Sequence, residues 1–382
     1  MIKTFQYRIY PTSSQRKTME STIETCRRLY NDCLAERKEA YEERSESVGK
    51  KIQLRKVKVL KDTSPYAKNI HSHILQVAVA DLDKAYQKFF RRCGTGEKAG
   101  YPRFKGKNRF DSFGLKEYGN GFKIDGRRLK ITGVGRVSVR WHRPLEGEIK
   151  TLRIKRKTDG WYASFSCEVA EKTLPATGKA IGVDVGVSSL IATSDGELVE
   201  NPKWYRNGQA KLRVLQRTVS RRKKGGSNRK KAVHTLQVHH EHIANKRQDF
   251  LNKLANELVI NNDLIAIEDL QITNMVKNHC LSKSILDGGW GYFVKQLSFK
   301  AVEAGREVVR VNPAYTSKTC SGCGTIFDDL DLSVRWIDCG CGLSMNRDVN
   351  AAINILKRAF QNRDGQSRWE LTWAVAPCVS QE

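Results

Sequence analysis

Three acidic residues stand where a chain rarely leaves a carboxylate. In Ala180-Ile-Gly-Val-Asp-Val-Gly186 an apolar strand delivers Asp184 just before a glycine. In Asp263-Leu-Ile-Ala-Ile-Glu268 a second apolar strand delivers Glu268, and in Asn346-Arg-Asp-Val-Asn-Ala-Ala-Ile-Asn-Ile355 Asp348 opens an amphipathic helix. Burying a carboxylate is costly unless a cation or hydrogen bonds compensate it. Taken alone, Asp184 is either a metal ligand or an ordinary turn residue, and Asp348 equally suits a helix dipole. Acids on three separated elements can converge only through the fold. Converged, they form the oxygen-rich site that hard divalent cations such as magnesium take.

A second group has metal spacing of another kind. Cys320-Ser-Gly-Cys323 is followed after fifteen residues by Cys339-Gly-Cys341, with glycines at 322, 324 and 342. Two tight cysteine pairs at this separation predict a zinc ribbon holding one structural zinc, a free-thiol cluster being the alternative. Four thiolates leave no open position for substrate, so the site is assigned to folding rather than catalysis.

The partner class comes from charge. The 382 residues carry a net charge of +27, far more than solubility needs, which points to a polyanion and by default to nucleic acid. Seven basic residues and no acid occupy Arg221-Arg-Lys-Lys-Gly-Gly-Ser-Asn-Arg-Lys-Lys231. Arg221, Arg222, Lys223, Lys224, Arg229, Lys230 and Lys231 are therefore candidate phosphate contacts, inside a folded region rather than a disordered tail. In Tyr101-Pro-Arg-Phe-Lys-Gly-Lys-Asn-Arg-Phe110, Arg103 and Lys105 alternate with aromatics, which suits phosphate contact and base stacking; a basic loop anchored by its aromatics is the competing reading. Ser72 and Gln76 are candidates to touch a nucleic-acid groove from an exposed helix face. His234, His239, His240 and His242 form a solvated helical face, since no cysteine or carboxylate pattern joins them.

The elements that must position these residues follow from periodicity. A helix is expected from Ser13 to Arg44 behind the capping box Thr12-Ser-Ser-Gln15, then a polar break, then a helix from Ile70 to Arg92. From Gly100 to Glu171 the period falls to two, predicting a compact β-barrel or sandwich, with hairpins at Asp125-Gly126 and Thr158-Asp159-Gly160. Strands ending at Asp184 and Glu268, a core helix through Phe250 to Val259, and a helix through Trp290 to Ala301 capped by Asp287 then predict an α/β layer. No run approaches the roughly 18 apolar residues of a membrane span. The N-terminus lacks a signal peptide's apolar core, and ten cysteines without one argue for a reducing compartment. The expected place is the cytoplasm, at the nucleoid if the cell is prokaryotic.

With these motifs in view, the chain resembles the TnpB family, transposon-encoded RNA-guided nucleases related to type V CRISPR effectors. The resemblance rests on Gly182-Val-Asp-Val-Gly186, Ser220-Arg-Arg-Lys-Lys-Gly225, Asn245-Lys-Arg-Gln-Asp-Phe-Leu251, Ile267-Glu-Asp-Leu270, Gly289-Trp290, Tyr315-Thr-Ser-Lys-Thr-Cys-Ser-Gly-Cys-Gly324 and Arg347-Asp-Val-Asn-Ala-Ala-Ile-Asn-Ile355. Two departures stand out: Asn346 replaces the family's usual Asp, and Cys339-Gly-Cys341 is one residue shorter than the common pair.

The resemblance implies an α+β multidomain protein. Its RNase H-like RuvC core, at 178–311 and 346–361, would carry Asp184, Glu268 and Asp348 as catalytic acids holding two magnesium ions. A zinc-bearing target-strand module would fill 312–345. A wedge β-barrel, at 1–11 and 96–177, would carry a helical recognition lobe at 12–95, and 362–382 would be a mobile tail. The implied partners are a noncoding guide RNA and double-stranded target DNA, cut beside a short adjacent motif. The basic residues from Arg221 to Lys231 and Arg247 would then hold the RNA or its heteroduplex, while Asn350 is either a support to Asp348 or a packing residue. Rival readings are a strand-joining transposase, an RNA-guided DNA-binding repressor and a miniature CRISPR effector; protein partners are not indicated.

Overall fold

An inner strand of the second half shows how this chain builds its layers. Leu264-Ile-Ala-Ile267 is apolar at every position, and a strand places alternate side chains on opposite faces. Ile265 and Ile267 enter one core and Leu264 and Ala266 another. A strand buried on both faces needs a helix layer on each side. The computed structural model, which describes residues 1–107, 109–327, 330–331 and 333–361, contains both. The expectation about residues 362–382 lies outside the described residues.

The chain divides into two units, residues 1–170 and 171 onward. The first runs β1 (Ile2–Tyr10), α1 (Ser13–Arg44), α2 (Lys50–Thr63), α3 (Pro65–Lys68), α4 (Ser72–Gly94), β2 (Ser112–Leu115), β3 (Glu117–Tyr118), β4 (Gly121–Asp125), β5 (Arg128–Ile131), β6 (Gly135–Arg140), β7 (Glu148–Arg156) and β8 (Trp161–Glu168). Its eight strands form one sheet in the order β2-β7-β8-β1-β6-β5-β4-β3. Inward residues of the sheet, such as Phe5, Tyr7 and Phe165, share one core with Met19, Leu34, Leu75 and Leu82 of the helices. The helices therefore have no separate core of their own.

The polar break expected after α1 is instead α2 and α3. Of α2 only Gln53 and Val57 are buried. Gln53 donates to the Cys33 carbonyl at 2.8 Å and accepts from Arg37 Nε at 2.9 Å. The buried amide works beside a short stripe, Leu54, Val57 and Leu60, that packs on the same core, but these three residues are scattered among lysines and arginines.

The second unit runs β9 (Ala180–Val185), β10 (Ser189–Thr193), β11 (Leu198–Glu200), α5 (Trp204–Arg221), α6 (Ser227–Asn261), β12 (Leu264–Glu268), α7 (Ile272–Met275), α8 (Ser282–Gly288), α9 (Trp290–Ala304), β13 (Glu307–Val311), β14 (Trp336–Asp338), β15 (Ser344–Asn346) and α10 (Arg347–Gln361). Five strands form a sheet in the order β11-β10-β9-β12-β13. β12 lies parallel to both β9 and β13, while β10 is antiparallel to β9. Helices α6 and α9 cover one face through Leu251, Leu258, Phe293 and Leu297. Helix α10 covers the other through Ile355, Leu356 and Ala359. Among the described residues no helix is long and apolar enough to cross a membrane.

Candidate metal centre and nucleic-acid interface

Strand alternation decides where the acids point. Ile181 and Val183 enter the core under α6 and α9. Gly182 and Asp184, on the other side of β9, therefore face α10. Ile267 pairs with Val183, so Glu268 and Asp184 leave neighbouring parallel strands side by side, on the same face. Asp348 lies in the first turn of α10. Asn346 sets that start, since its side-chain oxygen accepts the Asp348 N–H at 2.8 Å and the Val349 N–H at 3.3 Å. Asn346, where this chain departs from the usual Asp, is thus a working helix cap.

Asp184 feels both of the other carboxylates. Burial first, then the charges of Glu268 and Asp348, push the Asp184 carboxyl up to about 8, against a Val185 backbone hydrogen bond and Arg347. Burial also raises Glu268, although the Thr316 hydroxyl and then Arg358 pull it down. Arg335 Nη1 stands 3.6 Å from Asp348. Mutually repelling acids at a strand edge fit a divalent cation, which would remove the repulsion and the burial cost together. Among the described residues only the cysteines bring three or more ligand atoms all within 4.8 Å of one another. Asp184, Glu268 and Asp348 do not form such a compact set.

Cys320, Cys323, Cys339 and Cys341 form that cluster. Sγ–Sγ distances are 3.7 Å for Cys320 and Cys341 and 3.5 Å for Cys323 and Cys339. Tetrahedral Zn–S bonds of about 2.3 Å put sulfurs roughly 3.8 Å apart, so the set fits zinc. The short Cys339-Gly-Cys341 pair closes without obstruction, because a tight turn joins Gly342 N–H to the Cys339 carbonyl at 2.9 Å.

Asn350 does not support Asp348 directly. It is 0% exposed, accepts the Ser321 N–H at 2.7 Å and donates to the Thr319 carbonyl at 2.7 Å, tying the Cys320 knuckle to α10.

The basic candidates separate into two kinds. Arg221, Arg222, Lys223 and Lys224 are exposed around the end of α5, and Lys230 and Lys231 are exposed on α6. Arg229 turns back to donate to the carbonyls of Val219 at 2.6 Å and Arg222 at 3.2 Å, closing the α5 C-terminus. Arg247 is engaged inside the protein, with Nη2 at 2.7 Å from Asp287 and its guanidinium 5.9 Å from the Trp204 ring. Asp287 in turn accepts the N–H groups of Tyr205 at 2.8 Å and Arg206 at 3.2 Å. The cap expected for the helix at Trp290 thus serves α5 instead, and Gly289 precedes α9.

In the first unit Arg103 is exposed. The Lys105 backbone is clamped by Asn31, which accepts its N–H at 2.8 Å and donates to its carbonyl at 3.0 Å. Ser72 opens α4, and Gln76 accepts from Lys116 at 3.0 Å. Of the four histidines on α6, His239 packs near Gly208.

Two features escaped the sequence. Lys203, Arg206, Lys283 and Arg335 line a cleft of about 440 Å³ whose one acid, Asp287, is already satisfied. Thr316, 3% exposed, donates its hydroxyl to Glu268. Neither the Tyr315–Gly324 motif nor any spacing shows that Thr316 meets Glu268 or that the four basic residues share a cleft; proximity reveals both.

The fold and site together are consistent with the RuvC-like nuclease class with a cysteine-held metal module. Among solved structures the chain is similar to the protein of a Cas12f1–sgRNA–target DNA complex, with a TM-score of 0.61 and 13% identity, covering 93% of this chain and 98% of that one. It is also similar to the mini RNA-guided endonuclease CRISPR-Cas_phi3, with a TM-score of 0.52, 12% identity, and coverage of 94% and 92%. Family models match at 164–279, described as a probable transposase of the OrfB_IS605 type, and at 290–355, the Cas12f1-like TNB domain. A helix-turn-helix model matches 1–46, where the chain folds as β1 and the single long helix α1. A Streptomyces pristinaespiralis protein named "Putative RNA-guided DNA endonuclease" is 36% identical over 93% of this chain and 88% of its own length. The Escherichia coli (strain K12) protein of the same name with the suffix InsQ is 32% identical over 93% and 92%. The chain belongs to the TnpB family.

Proposed function

We propose that this chain is an RNA-guided DNA endonuclease of a transposon, cutting double-stranded DNA beside a short adjacent motif by metal-dependent phosphodiester hydrolysis. The observation that carries the reading is the meeting of Asp184, Glu268 and Asp348, from two strands and a helix, at one end of the second sheet. Its relatives' names supply the guide RNA and the DNA target.

Asp184, Glu268 and Asp348 are the catalytic acids in this reading. Magnesium, two ions in the family's manner, would supply a nucleophilic water and stabilise the leaving 3′ oxygen. The chain's own part is geometric and electrostatic. Its two strands and α10 bring three carboxylates to one end of the sheet, and Arg335 offers a cation beside Asp348 for a backbone phosphate. Lys203, Arg206 and Lys283 continue that positive surface into the adjoining cleft. Arg221 to Lys224, Lys230, Lys231, Arg103 and Lys105 contact RNA or heteroduplex backbone, and the face with Ser72 and Gln76 touches the adjacent motif. One zinc on the four cysteines holds the module at 312–345. The first sheet is the wedge barrel with its recognition helices, and the protein acts in the cytoplasm, at the nucleoid if the cell is prokaryotic.

The test is to purify the chain with RNA transcribed from its flanking locus and challenge it with a plasmid library matching that RNA, beside Asp184→Ala. Cleavage requiring RNA, magnesium and Asp184 supports the reading. Guided binding without cutting would point to a repressor, and absence of bound RNA to a transposase. A repeat array beside the gene, in place of transposon ends, would make the chain a miniature CRISPR effector.

A further inference from the structure

The segment 312–321, between β13 and the first cysteine pair, hangs from one face of α10. Asn350, Asn354 and Lys357 stand at i, i+4 and i+7, a single stripe of the helix. Asn350 holds the Ser321 N–H and the Thr319 carbonyl, both at 2.7 Å. Asn354 donates to the carbonyls of Thr316 at 2.9 Å and Thr319 at 2.6 Å, and Lys357 donates to that of Ser321. Buried amides are tolerated only when hydrogen-bonded. These two, 0% and 7% exposed, direct their bonds to a single six-residue stretch of backbone.

Cys320 lies near one end of that stretch and Thr316 at the other, its buried hydroxyl within reach of a Glu268 oxygen and of the Pro313 carbonyl at 3.0 Å. Tyr315, just before it, is held at a φ of 62°. That left-handed conformation costs a non-glycine residue roughly 1–2 kcal/mol, and it persists only where the surroundings over-determine the backbone. Here the ladder of asparagines fixes one side, and Arg358 fixes the other by donating to the carbonyls of Asn312 at 2.8 Å and Ala314 at 2.5 Å.

We infer that Thr316 is the positioning residue of the Glu268 carboxylate, and that the cysteine module holds Thr316 in place through the Cys320 knuckle and the Asn350–Asn354 ladder, so that zinc occupancy sets divalent-cation affinity at the acids. The inference rests on the acids being a metal centre, as proposed above. By donating to one Glu268 oxygen, Thr316 fixes the carboxylate rotamer and leaves the second oxygen for a cation. The module is then part of the working site as well as a folding device.

The test uses the full chain. Magnesium affinity is measured calorimetrically, with terbium luminescence as a second probe, for wild type, Thr316→Val, Thr316→Ala and Thr316→Ser. Zinc content and Tm are measured on the same samples. Val and Ala should weaken magnesium binding on the order of 10-fold or more, with one zinc retained and Tm close to wild type; Ser should restore affinity. Stripping zinc from wild type should cause a comparable loss, and stripping it from Thr316→Val should add little further. Unchanged affinity in both Val and Ala overturns the positioning role alone. Losses that simply add overturn the zinc link. Wild-type binding that Asp184→Asn fails to reduce overturns both this inference and the metal reading beneath it.

Discussion

Gly182 lies directly under the Ala352 carbonyl: a Cβ built on Gly182 would meet that oxygen at 2.0 Å and the Leu356 Cβ at 2.9 Å. Gly182 is two residues before Asp184 on β9, and Ala352 is one turn after Asp348 on α10. The missing side chain therefore lets α10 approach the strand closely enough to bring those two acids together.

Gly182→Ala should force α10 outward. Overpacking of this kind costs about 1–3 kcal/mol, and the displacement separates Asp348 from Asp184. The expected result is a lower Tm with a larger loss of magnesium affinity than of zinc content. Thermal melts and metal titrations on one sample check it, and wild-type behaviour in both would contradict the close-approach argument.

Asp184 gives a signed pH effect. Its carboxyl titrates near 8 in the fold against an ordinary 3.8, so the folded chain binds this proton more tightly than the unfolded one. The contribution to stability is fully present below the ordinary value and is lost as pH rises through about 8. Asp184→Asn should abolish cleavage while raising the metal-free Tm at pH about 8.5, with little gain at pH about 4. A Tm gain equal at both pH values would show that charge burial is not the cause.

Magnesium should compete with that same proton. The rise in Tm on adding magnesium should grow from pH 6 to pH 9 in wild type and vanish in Asp184→Asn, as differential scanning would show.

Arg247 and the Lys223–Lys224 pair should part company. Arg247→Met leaves Asp287 buried without its cation, and breaking such a pair costs about 3–5 kcal/mol, so Tm should drop markedly. Lys223→Ala with Lys224→Ala should leave Tm unchanged but weaken RNA binding and reduce the slope of log affinity against log salt by roughly 1.5. Equal effects of the two changes on Tm would merge the classes.

Cysteine chemistry supplies the fifth expectation. Cys339→Ser should lower zinc content below one per chain and melt the residues around β14 and β15 before the main sheet, measured by metal analysis and hydrogen exchange. Retention of full zinc would show that three thiolates and another ligand suffice.

Much of this was legible because it is written in local pattern. The capping box at Thr12 placed the start of α1, and Thr12 and Gln15 make both reciprocal bonds. Period-two alternation marked β4, β5, β7 and β8, and the cysteine spacing announced a four-thiol cluster. Helix α2 was illegible because its stripe is only Leu54, Val57 and Leu60 in a lysine-rich stretch, supplemented by the buried Gln53. Asp287 was assigned to the wrong helix because a cap supplied from a distant segment has no sequence spacing.

The amino-acid sequence alone determined which residues can bear the chemistry: three strand- or helix-end acids, four paired cysteines and a large excess of positive charge. Each is a property of residue type and short-range spacing, which local sterics and periodicity translate directly. Tertiary structure alone decided which charges remain available and which are consumed. Arg229 looks like its neighbours in the basic run and Arg247 like any exposed helix arginine, yet Arg247 meets Asp287 and Arg229 a helix end. Thr316 lies in the Tyr315–Gly324 motif and Arg335 in no motif, and neither position shows what it touches, yet the fold sets them against Glu268 and Asp348. Partners 13 to 48 residues apart in sequence become neighbours only when sheet alternation and the Gly182 contact close the layers, because long-range proximity is a consequence of packing and not of spacing.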